Sequence, residues 1–150
     1  MTTDTPAWTL ERAQPAANLD VFGVRVNIVA ESADTGGACL VTRIFARPGT
    51  GAPLHRHAEI ERFHVLRGCL SVEADGQKAE LHEGDTVTVA PWVNHRFWNE
   101  SGEDAEFIAV ATPGGHEKFF RDADELSRSG RFNPESAAAL CAQHGIELVH

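Results

Sequence analysis

The sequence predicts an all-β fold, a sandwich or barrel, followed by two short helices. Three observations carry this. From Val21 to about Thr112 the chain runs as short segments rich in β-branched residues, separated by turn signals every 8–12 residues. Within that stretch the pair Asp75-Gly76 splits "CLSVEADGQKAEL" into two runs and suits the positive φ angles of a tight hairpin turn. After Pro113 the pattern changes to "HEKFFRDADELSRSG" and "NPESAAALCAQHG", which read as helices.

The elements follow in order. Residues 1–19 contain Pro6 and Pro15 and little periodicity, so they read as an N-terminal arm that is only partly ordered. "VFGVRVNIVA" and "ACLVTRIFA" alternate as strands, and "RFHVLRG" follows a histidine-rich segment. "DTVTVAP", "HRFWNE" and "EFIAVATP" complete a set of eight or nine strands, the β domain spanning residues 20–113. The helical appendage covers residues 114–150, its second helix having Asn133 as cap, Pro134 at the first position and Gly145 just beyond the end.

The chain has 150 residues, enough to bury one core, and its 42% hydrophobic and 23% charged content is that of a globular domain. No apolar run approaches the ~20 residues that cross a bilayer, and "MTTDTPAWTLERAQ" lacks the features of a signal peptide. A cytoplasmic location is the expectation. The net charge of −9 argues against nucleic acid and against an anionic membrane surface as partners, since both need a basic footprint. Cys39, Cys69 and Cys141 form no CxxC pair and read as reduced, buried or half-buried thiols.

The stretch "HRHAEIERFHVLRG", residues 55–68, concentrates the chemistry. A strand shows every second side chain to one face. Glu61, Phe63 and Val65 therefore share a face, and Arg62, His64 and Leu66 the other. His55 and His57 also stand two apart, and His95, Phe97 and Asn99 repeat the spacing in "PWVNHRFWN". Two imidazoles and a carboxylate can point into a barrel, with a third imidazole from the second segment. Imidazoles with one carboxylate suit Fe, Mn, Ni, Cu, Co or Zn as divalent ions. The other reading, polar residues without a metal, carries the cost of burying such groups unpaired.

Gly49, His55, His57, Glu61 and Gly68 stand at the spacing of the first signature of the cupin superfamily, and the chain resembles that family at each of these positions. The second signature is matched at Gly84, Asp85, His95 and Asn99, but Ala90 and Trp92 replace the family's proline and glycine around Pro91. Together the two span residues 49–99, and the flanking "DTGGACLV" and "TPGGHEKFF" resemble small bacterial single-barrel cupins of the quercetin-dioxygenase-like kind.

The resemblance implies a jelly-roll barrel holding one divalent transition metal through His55, His57, Glu61 and His95. It also implies a small-molecule partner and a homodimer paired through sheet edges. Glu61 is the candidate catalytic residue, as ligand and proton acceptor. Phe45, Phe63, Phe97 and Phe107 are candidates for the pocket wall, with plain core packing as the alternative. Trp92 either narrows the entrance, stacks on a substrate, or is an exposed loop residue without a role. Glu59 reads as solvated near the mouth, with support of a ligand histidine as the alternative. His64, His82, His116, His144 and His150 read as surface or packing residues, Arg43 as a surface arginine, and Asn99 as structural.

The function implied is a metal-dependent dioxygenase acting on a small aromatic or enol-type molecule. A metal-dependent isomerase or decarboxylase and a non-catalytic binding protein are the alternatives. The sugar-epimerase branch, which uses a tyrosine acid, is disfavoured because the chain has no tyrosine. The germin-like branch is disfavoured by the missing signal peptide and cysteine pair.

Overall fold

The computed structural model describes residues 5–13 and 19–150. The expected arm lies partly outside the described residues; 5–13 are exposed and form no helix or strand. Among the described residues there are eleven strands: β1 (Leu19–Val21), β2 (Val24–Ala30), β3 (Leu40–Ala46), β4 (His55–Arg56), β5 (Ile60–Arg67), β6 (Leu70–Ala74), β7 (Gln77–Leu81), β8 (Thr86–Val89), β9 (His95–Trp98), β10 (Ala105–Thr112) and β11 (Glu147–Leu148). Two helices, α1 (Glu117–Arg128) and α2 (Pro134–Gln143), precede β11. The strands form two antiparallel sheets in the orders β1-β2-β3-β10-β5-β8 and β11-β4-β9-β6-β7. This is a jelly-roll barrel.

Alternation sets what each sheet turns inward. Along β5, Phe63 and Val65 are buried while Arg62 and His64 are exposed, and along β9 His95 and Phe97 are buried. Phe63, Phe97 and Phe107 meet edge to face, with ring centroids 5.1–5.7 Å apart, at the centre of the core. Around them pack Val24, Val26, Ile44, Leu70 and Val72.

The hairpin expected at Asp75-Gly76 joins β6 to β7, with φ of 52° and 77° at the two residues. In α2, Asn133 Oδ1 accepts from the Ser136 amide at 2.8 Å, and Ser136 Oγ accepts in return from the Asn133 amide at 2.9 Å. Pro134 occupies the first turn and Gly145, at φ 74°, ends the segment. Asn99 is structural, as expected: buried, it donates to the carbonyls of Ala46 and Glu103 and accepts from Ser101, tying the turn after β9 to β3.

Two glycines answer to close approach. A Cβ on Gly68 would lie 2.4 Å from the Asp104 carbonyl oxygen, at a φ of +80°. One on Gly114 would lie 2.0 Å from Ser32 Oγ, and the Gly114 amide donates to the Gly37 carbonyl at 2.9 Å. The "DTGG" and "TPGG" segments therefore touch, and this contact aims the chain into α1.

Glu117, at the start of α1, locks the junction. Its carboxylate accepts from the Ser32 amide at 3.0 Å, the Ser32 hydroxyl at 2.6 Å and the Gly115 amide at 3.3 Å. Burial pulls its pKa up, but the Ser32 hydrogen bonds outweigh this and hold it below the ordinary carboxylate value. A depressed folded-state pKa stabilises the fold fully above the unfolded value, and that contribution disappears as pH falls through the folded value. We expect Glu117→Gln to lose roughly 1 kcal/mol at neutral pH and to flatten the acid limb of stability. Urea midpoints compared between wild type and variant from pH 7 downward check this.

The structure departs from the sequence reading in the strand count and at the C-terminus. Eight or nine strands were expected against eleven, because β1, β4 and β11 have only two or three residues and so show no period. β11 pairs with β4, Glu147 opposite Arg56 and Leu148 opposite His55, and the Val149 amide donates to Leu54. The C-terminal segment thus returns to the strand that carries the first histidine.

Candidate metal centre

His55 lies on β4 and His95 on β9, and the two are direct cross-strand partners. His57 is the residue that directly follows β4, two positions from His55, and Glu61 comes across from β5 in the facing sheet. The imidazole centroids stand 4.3 Å apart for His55 and His95, 4.8 Å for His57 and His95, and 5.4 Å for His55 and His57.

All three rings are oriented from behind. His55 Nδ1 lies 2.7 Å from the Pro53 carbonyl, His57 Nδ1 3.2 Å from that of Glu59, and His95 Nδ1 2.8 Å from that of Val93. A carbonyl only accepts, so each Nδ1 carries the proton in the neutral ring and each Nε2 presents a lone pair. One ligand atom from each histidine lies within 4.8 Å of the others. His95 Nε2 is buried and has no hydrogen-bond partner. A buried nitrogen aimed at its neighbours without a donor is costly unless a cation meets it. The donor set fits a divalent transition metal.

Glu61 stands at the edge of this group. Its Oε2 is 2.8 Å from His57 Nε2 and 3.8 Å from His95 Nε2. Burial raises its pKa, but the hydrogen bond with His57 and the nearness of His95 outweigh this and hold the carboxyl far below the usual range. Burial alone would lower the pKa of His57; the hydrogen bond and charge of Glu61 bring it out above the ordinary value. His55 falls to about 4, chiefly through burial and then the neighbouring His95. Thus the carboxylate is ionised, and His55 is a neutral nitrogen donor at any ordinary pH.

His55, His57 and Glu61 line one side of a cavity of about 100 Å³. Val24, Val26, Ile44 and Phe97 form its walls, and Phe22, Phe119, Phe120, Ile146 and Leu148 close it. α1, the end of α2 and β11 therefore cover the barrel mouth.

Of the five residues expected in the wall, only Phe97 lines this cavity. Phe63 and Phe107 are wholly buried in the core below it. Phe45 is on the outer side of β3, where Ile44 and Ala46 take the inward positions; it lies against the Arg43 guanidinium, 5.5 Å from its ring centroid. Arg43 is half exposed and paired with Glu106. Trp92 does not line the cavity either. It is 51% exposed and sits beside Ala138, Ala142 and Leu148 at the surface. Its φ is 63°, the left-handed conformation that favours glycine, at a cost of roughly 1–2 kcal/mol for other residues. The family glycine is thus explained by backbone shape, which Trp92 keeps while its amide donates to the His57 carbonyl at 2.8 Å.

Two residues matter more than the sequence reading allowed. His116, read as surface or packing, is 12% exposed at the start of α1 and lines the cavity, its ring centroid 5.4 Å from that of His57. Its Nε2 is 3.3 Å from Glu59 Oε1 but is not oriented for a hydrogen bond, and it is buried without a partner. Burial lowers its pKa. Glu59, read as solvated, is 18% exposed and lies between His116 and His57 Nδ1, 3.7 Å from the latter. The glycine pair before His116 was the available signal, since it permits the sharp approach that turns this side chain inward.

Two antiparallel sheets closed around converging imidazoles define a jelly-roll barrel with a metal-competent centre. Residues 44–111 match the family model described as a cupin domain. The chain is 30% identical over 90 residues to gentisate 1,2 dioxygenase 1 of Aquipseudomonas alcaligenes, covering 54% of this chain and 26% of that protein. It spans about a quarter of the length of the curated relatives it matches. Among solved structures it is similar to a predicted oxalate decarboxylase from Thermotoga maritima, with a TM-score of 0.57 and 26% identity over 60% of this chain and 80% of that one. It is also similar to a Cupin 2 conserved barrel domain protein from Salinispora arenicola, with a TM-score of 0.60 and 21% identity over 80% of this chain and 98% of that one. The match to the cupin-domain model takes in the body of the barrel, from β3 to β10. No helix among the described residues is long and apolar enough to cross a membrane.

Proposed function

We propose that the protein is a mononuclear metal-dependent oxidoreductase, a dioxygenase acting on a small aromatic or enol-type molecule. The observation that carries this is the convergence of three imidazoles, one ligand atom of each within 4.8 Å of the others, beside the Glu61 carboxylate at an apolar cavity. The likeness to a gentisate dioxygenase over half the chain supports the reaction class. His55, His57, His95 and Glu61 would hold one Fe, Mn, Ni, Cu, Co or Zn ion. Bound there, such an ion supplies Lewis-acid polarisation of a substrate oxygen and, for a redox-active metal, a route for electrons to dioxygen.

The chain's own part follows from its geometry. Phe22, Phe97, Phe119 and Phe120 keep water from a planar apolar ligand and strengthen every polar contact made inside. Glu61 presents its carboxylate at the cavity, where it would accept the hydroxyl proton of the substrate. His116 Nε2, buried and without a partner, offers a hydrogen bond to a substrate oxygen from the lid side. We therefore expect His116→Phe to keep the metal content of wild type and lower turnover by roughly tenfold, the worth of one such hydrogen bond. Metal analysis and initial rates on the same preparations check this.

The test of the reaction class is oxygen uptake by protein loaded with each ion under anaerobic conditions, then offered a panel of flavonols, diketones and dihydroxybenzoates. Uptake coupled to substrate loss supports the dioxygenase. A decarboxylase or isomerase is the second reading, favoured by the likeness to the predicted oxalate decarboxylase. Product formed with no oxygen consumed would establish it instead. A ligand that raises the melting temperature with no product at all would leave a binding protein.

A further inference from the structure

A second cluster of side chains able to ligate a metal lies on the β6–β7 hairpin, at the edge of the sheet that also carries His55 and His95. Leu70 pairs with Leu81 and Ser71 with Glu80 across the β6–β7 hairpin. Leu70 and Leu81 are buried, so the flanking positions Cys69, Glu80 and His82 turn outward together. One donor atom from each lies within 4.8 Å of the other two. Cys69 Sγ is 3.1 Å from Glu80 Oε1, and His82 Nε2 is 3.6 Å from Glu80 Oε2. The hairpin fixes the spacing, and Asp85 Oδ2 pins the His82 amide at 2.8 Å.

We propose that Cys69, Glu80 and His82 form a surface site for a divalent metal of the zinc type, separate from the barrel centre. A thiolate, an imidazole and a carboxylate are the donors that such an ion takes in tetrahedral geometry, with water in the fourth place. The surroundings favour a cation. Glu100 lies on the same face, accepting from Ser71 Oγ at 3.2 Å. With Glu80 against the Cys69 thiol and Glu100 on Ser71, the site gathers carboxylates whose charge a cation neutralises while displacing the thiol proton. Glu80 and His82 are 63% and 66% exposed, which makes this an open site that exchanges metal with solvent.

The donors of the two sites differ, and the difference provides the test. The barrel centre offers no sulfur, so a thiolate-to-cobalt charge-transfer band in the near ultraviolet reports the hairpin site alone. The full chain, kept reduced, is titrated with Co(II) and no other ligand. We expect a saturable band at stoichiometric cobalt that Zn(II) removes. It should be absent in Cys69→Ser, need roughly tenfold or more cobalt in His82→Ala, and survive in the His55→Ala/His95→Ala double variant. No band, a band that needs a large excess of cobalt, or one that persists in Cys69→Ser overturns the proposal. Because the double variant removes only the barrel ligands, failure of one site leaves the other readable.

Discussion

The His95→Ala variant is expected to lose at least about 100-fold in metal affinity while remaining folded. His95 lies on β9 directly opposite His55, is 1% exposed, and has its Nδ1 fixed by the Val93 carbonyl. Outer partners of metal ligands typically contribute 10–100-fold, so loss of the ligand itself should reach the upper end of that range or exceed it. Its Nε2 is buried without a hydrogen-bond partner, so its removal relieves an unpaired polar group. The metal-free variant should therefore unfold at much the same urea concentration as metal-free wild type. The difference should appear only after metal is added, as a rise in melting temperature in wild type that the variant lacks. Equal metal-induced stabilisation in both proteins would remove His95 from the ligand set.

Phe63→Ala is expected to cost about 3–5 kcal/mol, the usual loss for a fully buried phenylalanine. Its ring is wholly buried and stacks edge to face on both Phe97 and Phe107. Domains of this size hold only about 5–15 kcal/mol in all, so much of the stability margin should be consumed. Phe97→Leu separates the two roles, because Phe97 alone of the three also lines the cavity. That variant should keep most of the stability and alter ligand binding. Urea unfolding monitored by circular dichroism measures both, and a shift of less than 1 kcal/mol for Phe63→Ala would show that the ring trio is not the centre of the core.

The parts of the fold and site visible in the sequence were those where one periodicity dictates one geometry. Glu61, Phe63 and Val65 on β5, and His95 and Phe97 on β9, face inward because a strand exposes alternate residues to its two sides. The cap at Asn133 and the turn at Asp75-Gly76 are local chemistry, and the structure contains both. Phe45 went astray because hydrophobicity was weighed above parity. Ile44 and Ala46 already occupy the inner face of β3, which forces residue 45 outward. β11 has two residues and exists only because β4 offers it an edge, so no local pattern could announce it. His116 depends on a long-range meeting of two glycine pairs, Gly37 with Gly114; the pairs are visible in the sequence, but that they meet is not. Trp92 shows the limit from the other side: the sequence reveals the change from glycine, but only the backbone angle shows that the loop keeps its shape.

A metal at the barrel centre is the premise of the proposed chemistry, and its presence is measured by metal content. Elemental mass spectrometry on tag-free Cys69→Ser protein, as purified and after reconstitution with each ion in turn, avoids any contribution from the hairpin thiol. The account predicts close to one Fe, Mn, Ni, Cu, Co or Zn per chain, lost when His95→Ala is added. Protein that retains none of these ions after reconstitution would contradict it.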